Sequence, residues 1–200
     1  MLKITNQKYN SVLISASSAE ELADAFMRFQ EYYESPFWAD KIFTIGQYKQ
    51  WYSKKHGADT YRFDWRGFNF PSYVLAPFRQ GLFDPLTEAE SQILDFLKYR
   101  NDEFYIIGSN TDDVLGHELL HAFYHSNAEY RNKVNEVISK HKKELKKAFD
   151  HLLNLGYHKK VLNDEFQAYL LDNNYFENNN INISHNIKSQ IVRLHKDLNK

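Results

Sequence analysis

The chain has 200 residues, of which 42% are hydrophobic and 26% are charged, and this composition predicts a folded protein. Its 25 Lys and Arg nearly balance its 26 Asp and Glu, so the net charge of −1 argues against a nucleic-acid or membrane partner. The lack of cysteine excludes disulfides, cysteine-ligated zinc and thiol nucleophiles. Neither a signal peptide nor a bilayer-spanning apolar run is recognisable, so we expect a cytoplasmic protein.

The first half of the chain carries most of the predicted strands. Residues 11–15 are typical of a short strand. Ser17 and Ser18, each followed three residues later by a glutamate, predict the start of a helix that runs to about Tyr33. Thr87, also followed by a glutamate, predicts another helix start. The other predicted elements of this half are strands at 41–45 and 72–76, a short helix at 47–55, an irregular aromatic stretch at 61–70 and a turn at 81–85.

The second half is predicted to be mainly helical. Residues 103–107 form the most strand-like run of the chain, and Gly108 is expected to end it. From Thr111 onward, helical patterns continue almost to the end of the chain. The predicted helices are 111–125, 127–141, 142–155, 159–172 and 187–198, with an asparagine-rich loop at 173–182.

This distribution of elements predicts an α+β fold. A small sheet in the N-terminal half would pack with a mainly helical C-terminal half. No internal repeat or clear linker divides the chain. We therefore expect a single domain over residues 1–200, in which residues 1–100 would form a mixed α/β lobe and residues 101–200 a helical lobe with the functional site.

The clearest chemical pattern is the segment His117-Glu118-Leu119-Leu120-His121, within the predicted helix 111–125. Its spacing places both imidazoles on one helix face, one turn apart, where two ring nitrogens can bind one ion at about 2.1 Å. Glu118 can reach a water on that ion without being a ligand. Because these polar groups are costly to bury among apolar neighbours unless they are paired or bind metal, the segment predicts a catalytic Zn²⁺ ion with Glu118 as general base.

A catalytic zinc takes three protein ligands, so a third must come from outside this segment. His125 lies about 12 Å along the helix from the first histidine, too far for one ion. Glu129 would have to fold back through a sharp turn near Asn127, and no segment resembles the aspartate motif of aspzincins. We expect Glu165, on the later amphipathic helix 159–172, to be the third ligand. The alternative is that this glutamate lies on the surface.

The segment 117–121, followed by a helix bearing Asn163-Asp164-Glu165, resembles the gluzincin branch of zinc metallopeptidases. The resemblance implies a zincin-like active-site helix with zinc ligands at His117, His121 and Glu165. It also implies that Glu118 activates water to hydrolyse an amide bond in a peptide or protein substrate. The N-terminal half is similar to small bacterial HExxH proteins, a likeness that carries no mechanism.

The sequence departs from the gluzincin pattern after the third ligand. Gluzincins often place an acidic residue four positions later to orient a ligand histidine, and here that position is Tyr169. Asp164 or Asp172 is an alternative for this role. The donor that would stabilise the transition state is also open, with Tyr169, His158 and His185 as candidates.

Two other functions are compatible with the same residues. The ion could hold helices together or sense a partner without catalysis. A helical interaction protein without metal, in which the two histidines lie on an ordinary amphipathic helix, is the third hypothesis. The aromatic segment 65–70 would line a substrate cleft in the first hypothesis, or else belong to the core and a loop.

Overall fold

A four-stranded sheet is the centre of this α+β protein, for which a computed structural model describes residues 1–172 and 174–199. The strands of the described residues are β1 (Lys3–Gln7), β2 (Ser11–Ser15), β3 (Gly67–Pro71) and β4 (Tyr105–Ser109). Their order across the sheet is β1-β2-β4-β3, with β2 and β4 parallel and the other two pairs antiparallel. All five residues of β4 are buried, as expected for a central strand.

Eleven α-helices and one 3₁₀ turn account for most of the remaining described residues. None of these helices combines the length with the apolar character that a membrane span requires. The helices are α1 (Ala19–Glu34), α2 (Ile45–His56), α3 (Tyr61–Asp64), α4 (Leu75–Arg79), α5 (Glu88–Phe96), α6 (Asp112–Ser126), α7 (Ala128–Lys140), α8 (Lys146–Leu155), α9 (Leu162–Leu171), α10 (Tyr175–Asn178) and α11 (His185–Leu198), and the 3₁₀ turn is Ser72–Val74.

The predicted helix starts near Ser18 and Thr87 are confirmed. The Ser18 hydroxyl accepts a hydrogen bond from the backbone of Glu21 at the start of α1. Thr87 forms a capping box with Glu90 at the start of α5. In both cases a short polar side chain supplies the acceptor that the first turn of a helix lacks, which is why the sequence located these ends well.

The predicted strands at 41–45 and 72–76 are wrong. Thr44 instead caps α2: its hydroxyl accepts from the backbone N–H of Gln47, whose side chain accepts from the Thr44 N–H. Residues 72–76 form the 3₁₀ turn and the beginning of α4. The strand of this region is β3, inside the stretch predicted to be irregular, and β1 was not predicted because its edge position leaves it mostly exposed and polar.

The helical half follows the prediction with shifted boundaries. The strand predicted at 103–107 is found as β4, and Gly108 lies within it rather than ending it. The five predicted helices correspond to α6, α7, α8, α9 and α11, although α8 begins at Lys146. The predicted loop 173–182 contains the short helix α10, and Asn173 lies outside the described residues. Because β4 follows residue 100, the sheet takes one central strand from the second half.

The described hydrophobic residues pack into two large clusters. The first contains α1, α2, α5 and one face of the sheet, and the second lies among α7, α8, α9 and α11. Tyr33 and Trp65 pack against both clusters. A third, small cluster joins Leu115, Leu119 and Ala122 of α6 to β4. α6 therefore lies on the sheet, and it also packs against α9.

Candidate metal centre

The histidine motif is carried by α6 between the sheet and α9. Ala122 is buried against β4, and the partly buried side chains of Leu115 and Leu119 pack in the same cluster. His117 and His121 occupy another face of the same helix, where side chains of α9 approach them. The periodicity that packs apolar residues on the sheet therefore presents both imidazoles to α9.

Three potential ligand atoms converge at this face. Nε2 of His117 and Nε2 of His121 lie 3.3 Å apart, and Nε2 of His121 lies 3.8 Å from Oε2 of Glu165. Ligand atoms of all three residues lie within 4.8 Å of one another. Atoms bound at about 2.1 Å to a tetrahedral ion are about 3.4 Å apart, so this spacing fits one zinc ion. The structure thus brings together the three residues that the sequence predicted as ligands.

The outer nitrogens of both imidazoles contact carboxylates. Nδ1 of His121 lies 2.9 Å from Oδ1 of Asp164, and Nδ1 of His117 lies 3.1 Å from Oδ2 of Asp172. Carboxylates beside the outer nitrogens help to orient the rings and to direct Nε2 toward a metal, although Nδ1 of His121 makes no hydrogen bond of regular geometry. The sequence left this role open, with Asp164 and Asp172 among the candidates, and the structure places one of these aspartates beside each histidine.

The electrostatics of the cluster favour a cation. Burial opposes protonation of His121, but the charges of Asp164 and Glu165 outweigh it and raise its pKa well above the ordinary value. For Glu165, burial disfavours the charged carboxylate and therefore raises its pKa. Oε2 of Glu165 is buried and has no hydrogen-bond partner. A divalent cation among the three atoms would supply both the positive charge and the partner that they lack.

Glu118, the predicted general base, is held by a side chain from the sheet. Its Oε2 accepts a hydrogen bond of 2.7 Å from Nδ2 of Asn69 in β3. The Tyr105 hydroxyl donates to Oδ1 of Asn69 at 2.5 Å, which fixes the orientation of that amide. Since Glu118 is only 5% exposed, these contacts determine where its carboxylate can point.

Gly67 allows β3 to pass directly beside this carboxylate. A Cβ at position 67 would overlap Oε1 of Glu118 and would lie 2.6 Å from Cγ1 of Val114. Both neighbours belong to α6, so the close approach of strand and helix requires glycine at this point.

The alternative third ligands lie elsewhere. Nε2 of His125 lies 3.3 Å from a carboxylate oxygen of Glu103. Glu129 is exposed and pairs with Lys133. Neither residue belongs to the cluster that the structure brings together around His121. Glu165, by contrast, is 2% exposed, so it is not the surface residue of the alternative interpretation.

Of the three candidate transition-state donors, Tyr169 is the one with a contact to the cluster. Its ring centroid lies 4.8 Å from that of His117, and its hydroxyl is 2.8 Å from the hydroxyl of Tyr157. His158 instead accepts from the backbone of Lys160. His185 is exposed at the first turn of α11.

The aromatic segment 65–70 divides between the core and the region around the site. Phe68 and Phe70 are fully buried and pack around Phe26 in the first hydrophobic cluster. For these two residues the core interpretation is confirmed. Trp65 lies between the two clusters and contacts the ring of Tyr157 at 6.3 Å.

The sequence analysis did not single out two polar residues, Asn69, which donates to Glu118, and Glu34 at the end of α1. Both are mostly buried. Asn69 interrupts a run of buried aromatic residues, which is a signal for a polar role. Glu34 is the last residue of the long amphipathic helix α1, and nothing in its sequence context distinguishes it from a surface glutamate.

Comparison of the chain with protein families, with curated proteins and with solved structures found no match.

Proposed function

We propose that this protein is a zinc-dependent peptide hydrolase in which His117, His121 and Glu165 bind one ion. The observation that carries the proposal is the convergence of their ligand atoms, within 4.8 Å of one another, at a buried position. Two histidines and a glutamate form a common ligand set of catalytic zinc, and the HExxH spacing on one helix belongs to hydrolytic sites.

Zinc bound there would lower the pKa of its bound water and polarise a substrate carbonyl. Glu118 is adjacent to His117 on the helix but has a different partner, Asn69, so it remains available as a base. In the proposed reaction Glu118 accepts a proton from the attacking water. It then gives that proton to the leaving amine as the amide C–N bond breaks.

The experiment combines metal content with hydrolysis. Wild-type protein purified with zinc present should hold about one zinc per chain and should cleave fluorescently labelled casein or a mixed quenched-fluorescent peptide library. Glu118→Gln should keep the zinc and lose at least about 100-fold in rate, the range expected for a general base. Glu129→Gln, an exposed position on the next helix, is the matched control and should retain full activity. Full activity of Glu118→Gln would refute the mechanism.

A second candidate function is a zinc-binding module without catalysis. The observation that favours it is burial: His121 and Glu165 are 1% and 2% exposed, which leaves a substrate little access in this conformation. It predicts the same zinc content but no hydrolysis of any probe by the wild type. Metal-free protein after purification with zinc would exclude both candidates and leave a helical interaction protein.

A further inference from the structure

A cavity of about 500 Å³ lies where the end of α6 and the first turns of α7 and α9 meet the loop before β4. This volume falls within the range of small-molecule sites, about 300–1,000 Å³. Of the described residues that line the cavity, none is a proposed zinc ligand or the proposed base. The cavity is therefore a separate candidate site, for which the proposed function gives no role.

Aromatic rings form the apolar part of the cavity wall. Phe104 and Tyr124 are 2% and 8% exposed, and Tyr9 and Tyr33 are further lining residues. The Tyr124 hydroxyl already donates to Oδ1 of Asn135 at 2.7 Å, so it needs no acceptor from a ligand. These rings offer a ligand apolar surface, which favours a molecule with a large apolar or aromatic group.

Most of the charged side chains in the wall are paired with a neighbour. Nε2 of His125 lies 3.3 Å from a carboxylate oxygen of Glu103. Nζ of Lys160 lies 3.0 Å from a carboxylate oxygen of Asp40, which is not one of the lining residues. Two charged residues of the wall remain, and they carry opposite charges.

Arg131 is the cationic residue of these two. Its Nη1 donates to the backbone carbonyls of Tyr124, at 3.0 Å, and of His125. These bonds hold the guanidinium against the C-terminal end of α6, while its Nε and Nη2 donate to no described residue. A guanidinium held in this way can bind a carboxylate through its two remaining nitrogens.

Asp164 is the anionic residue, and it is 8% exposed. Its Oδ1 accepts from Nε2 of Gln167 at 3.1 Å and lies 2.9 Å from Nδ1 of His121. Its Oδ2 accepts from no described residue, and no ion pair within the described chain joins Asp164 to Arg131. A mostly buried carboxylate that lines a cavity and keeps one oxygen free can accept a hydrogen bond from an ammonium group there.

We propose that this cavity binds a small zwitterion, a free amino acid or a short peptide, with its carboxylate on Arg131 and its ammonium on Asp164. A single cation or anion would satisfy only one of the two residues, whereas a zwitterion satisfies both. Its apolar side chain would pack on the aromatic rings of the wall. A peptide hydrolase releases molecules of this class, but binding in the cavity requires neither the metal nor hydrolysis.

Isothermal titration calorimetry on the full chain tests the ligand class. L-Phenylalanine should bind to the wild type. N-Acetyl-L-phenylalanine, which lacks the ammonium, and L-phenylalaninamide, which lacks the carboxylate, should each bind at least about tenfold more weakly. Glycyl-L-phenylalanine, titrated into Glu118→Gln so that it is not cleaved, distinguishes the two sources of the zwitterion, because the tighter binder of the two identifies a free amino acid or a short peptide.

Two variants test the place of binding. Arg131→Gln should weaken the binding of L-phenylalanine at least about tenfold, because the carboxylate loses its charged partner. Lys133→Gln is the matched control: it removes a cation from the same helix, but this exposed residue pairs with Glu129 and does not line the cavity, so binding should not change. Ala128→Trp, at an exposed position of the wall, should abolish binding by filling the cavity.

The outcomes separate this inference from the proposed function. Binding of neither L-phenylalanine nor the dipeptide at millimolar concentration would overturn the cavity proposal, even if the wild type hydrolyses peptides. Equal binding of the two blocked derivatives, or wild-type binding by Ala128→Trp, would overturn it as well. The expected binding pattern without any hydrolysis would support the cavity and count against the hydrolase. If Arg131→Gln does not fold, Ala128→Trp, which removes no hydrogen-bonding side chain, decides.

Discussion

Replacing Gly67 with alanine tests the packing of β3 against the proposed base. The added Cβ would overlap Oε1 of Glu118 and lie 2.6 Å from Cγ1 of Val114, whereas ordinary contacts are 3.4–4 Å. Strand and helix must therefore separate by at least about 0.8 Å at Val114, and by more at Glu118. Because β3 is held in register with β4 and Glu118 is bonded to Asn69, the strain falls on the carboxylate.

The expected losses of stability and of hydrolysis rate follow from this displacement. Overpacking of a tight contact costs about 1–3 kcal/mol, so the free energy of unfolding should fall by about 2 kcal/mol. A reacting group displaced by about 1 Å loses about 100-fold in rate, so hydrolysis should fall by that factor. The nearest neighbours of a Cβ at position 67 are Glu118 and Val114, neither of which is a proposed ligand, so zinc affinity should change little.

The assay is kcat/KM on the labelled peptide library, with zinc affinity by chelator competition and stability by urea unfolding. Gly116→Ala is the matched control, because a Cβ there meets nothing within 4 Å although it adjoins His117. It should keep activity and gain about 0.5–1 kcal/mol, as alanine favours helix. If Gly67→Ala hydrolysed the peptides at the wild-type rate and were as stable as the wild type, Glu118 would not be the base.

Three further predictions concern single residues. Glu165→Ala should weaken zinc binding at least 100-fold by chelator competition, whereas Glu129→Ala should not change it; equal affinities would remove Glu165 from the ligand set. Asn69→Ala should lower kcat about 10–100-fold with zinc retained, because Glu118 loses its donor, and an unchanged kcat would contradict that role. Burial raises the pKa of Glu31 to about 7, so its ionisation destabilises the fold as pH rises. Relative to wild type, Glu31→Gln should gain about 2 kcal/mol between pH 5 and pH 8 in urea unfolding, and a constant difference would contradict the burial of this charge.

The sequence predicted correctly those features that depend on interactions between residues close together in the chain. The capping residues Ser18 and Thr87 located helix starts because each makes its hydrogen bond within the next turn. The four-residue spacing of His117 and His121 likewise follows from helical geometry alone. Glu165 was predicted as a ligand because it is an acidic residue among the apolar residues of an amphipathic helix, and it is buried beside the histidines.

What the sequence did not predict depends on long-range pairing. Asn69 reaches Glu118 because β3 lies at the edge of the sheet in register with β4, opposite Ile107. That register pairs residues far apart in the chain, and no periodicity encodes it. Glu34 approaches α9 through a backbone hydrogen bond to His158, which is equally remote in sequence. The wrong prediction of a strand at 41–45 has a local cause. Although this run contains apolar and β-branched residues, the capping box at Thr44 starts a helix there.

The proposed ligands come from α6 and α9, which are separated in the chain by α7 and α8. An ion that binds both helices therefore cross-links a long loop and stabilises the folded chain by mass action. Above the dissociation constant, each tenfold rise in free zinc would add about 1.4 kcal/mol to the free energy of unfolding. The lifetime of this protein against cellular proteases would then follow the zinc supply, so that its abundance as well as its chemistry reports metal availability.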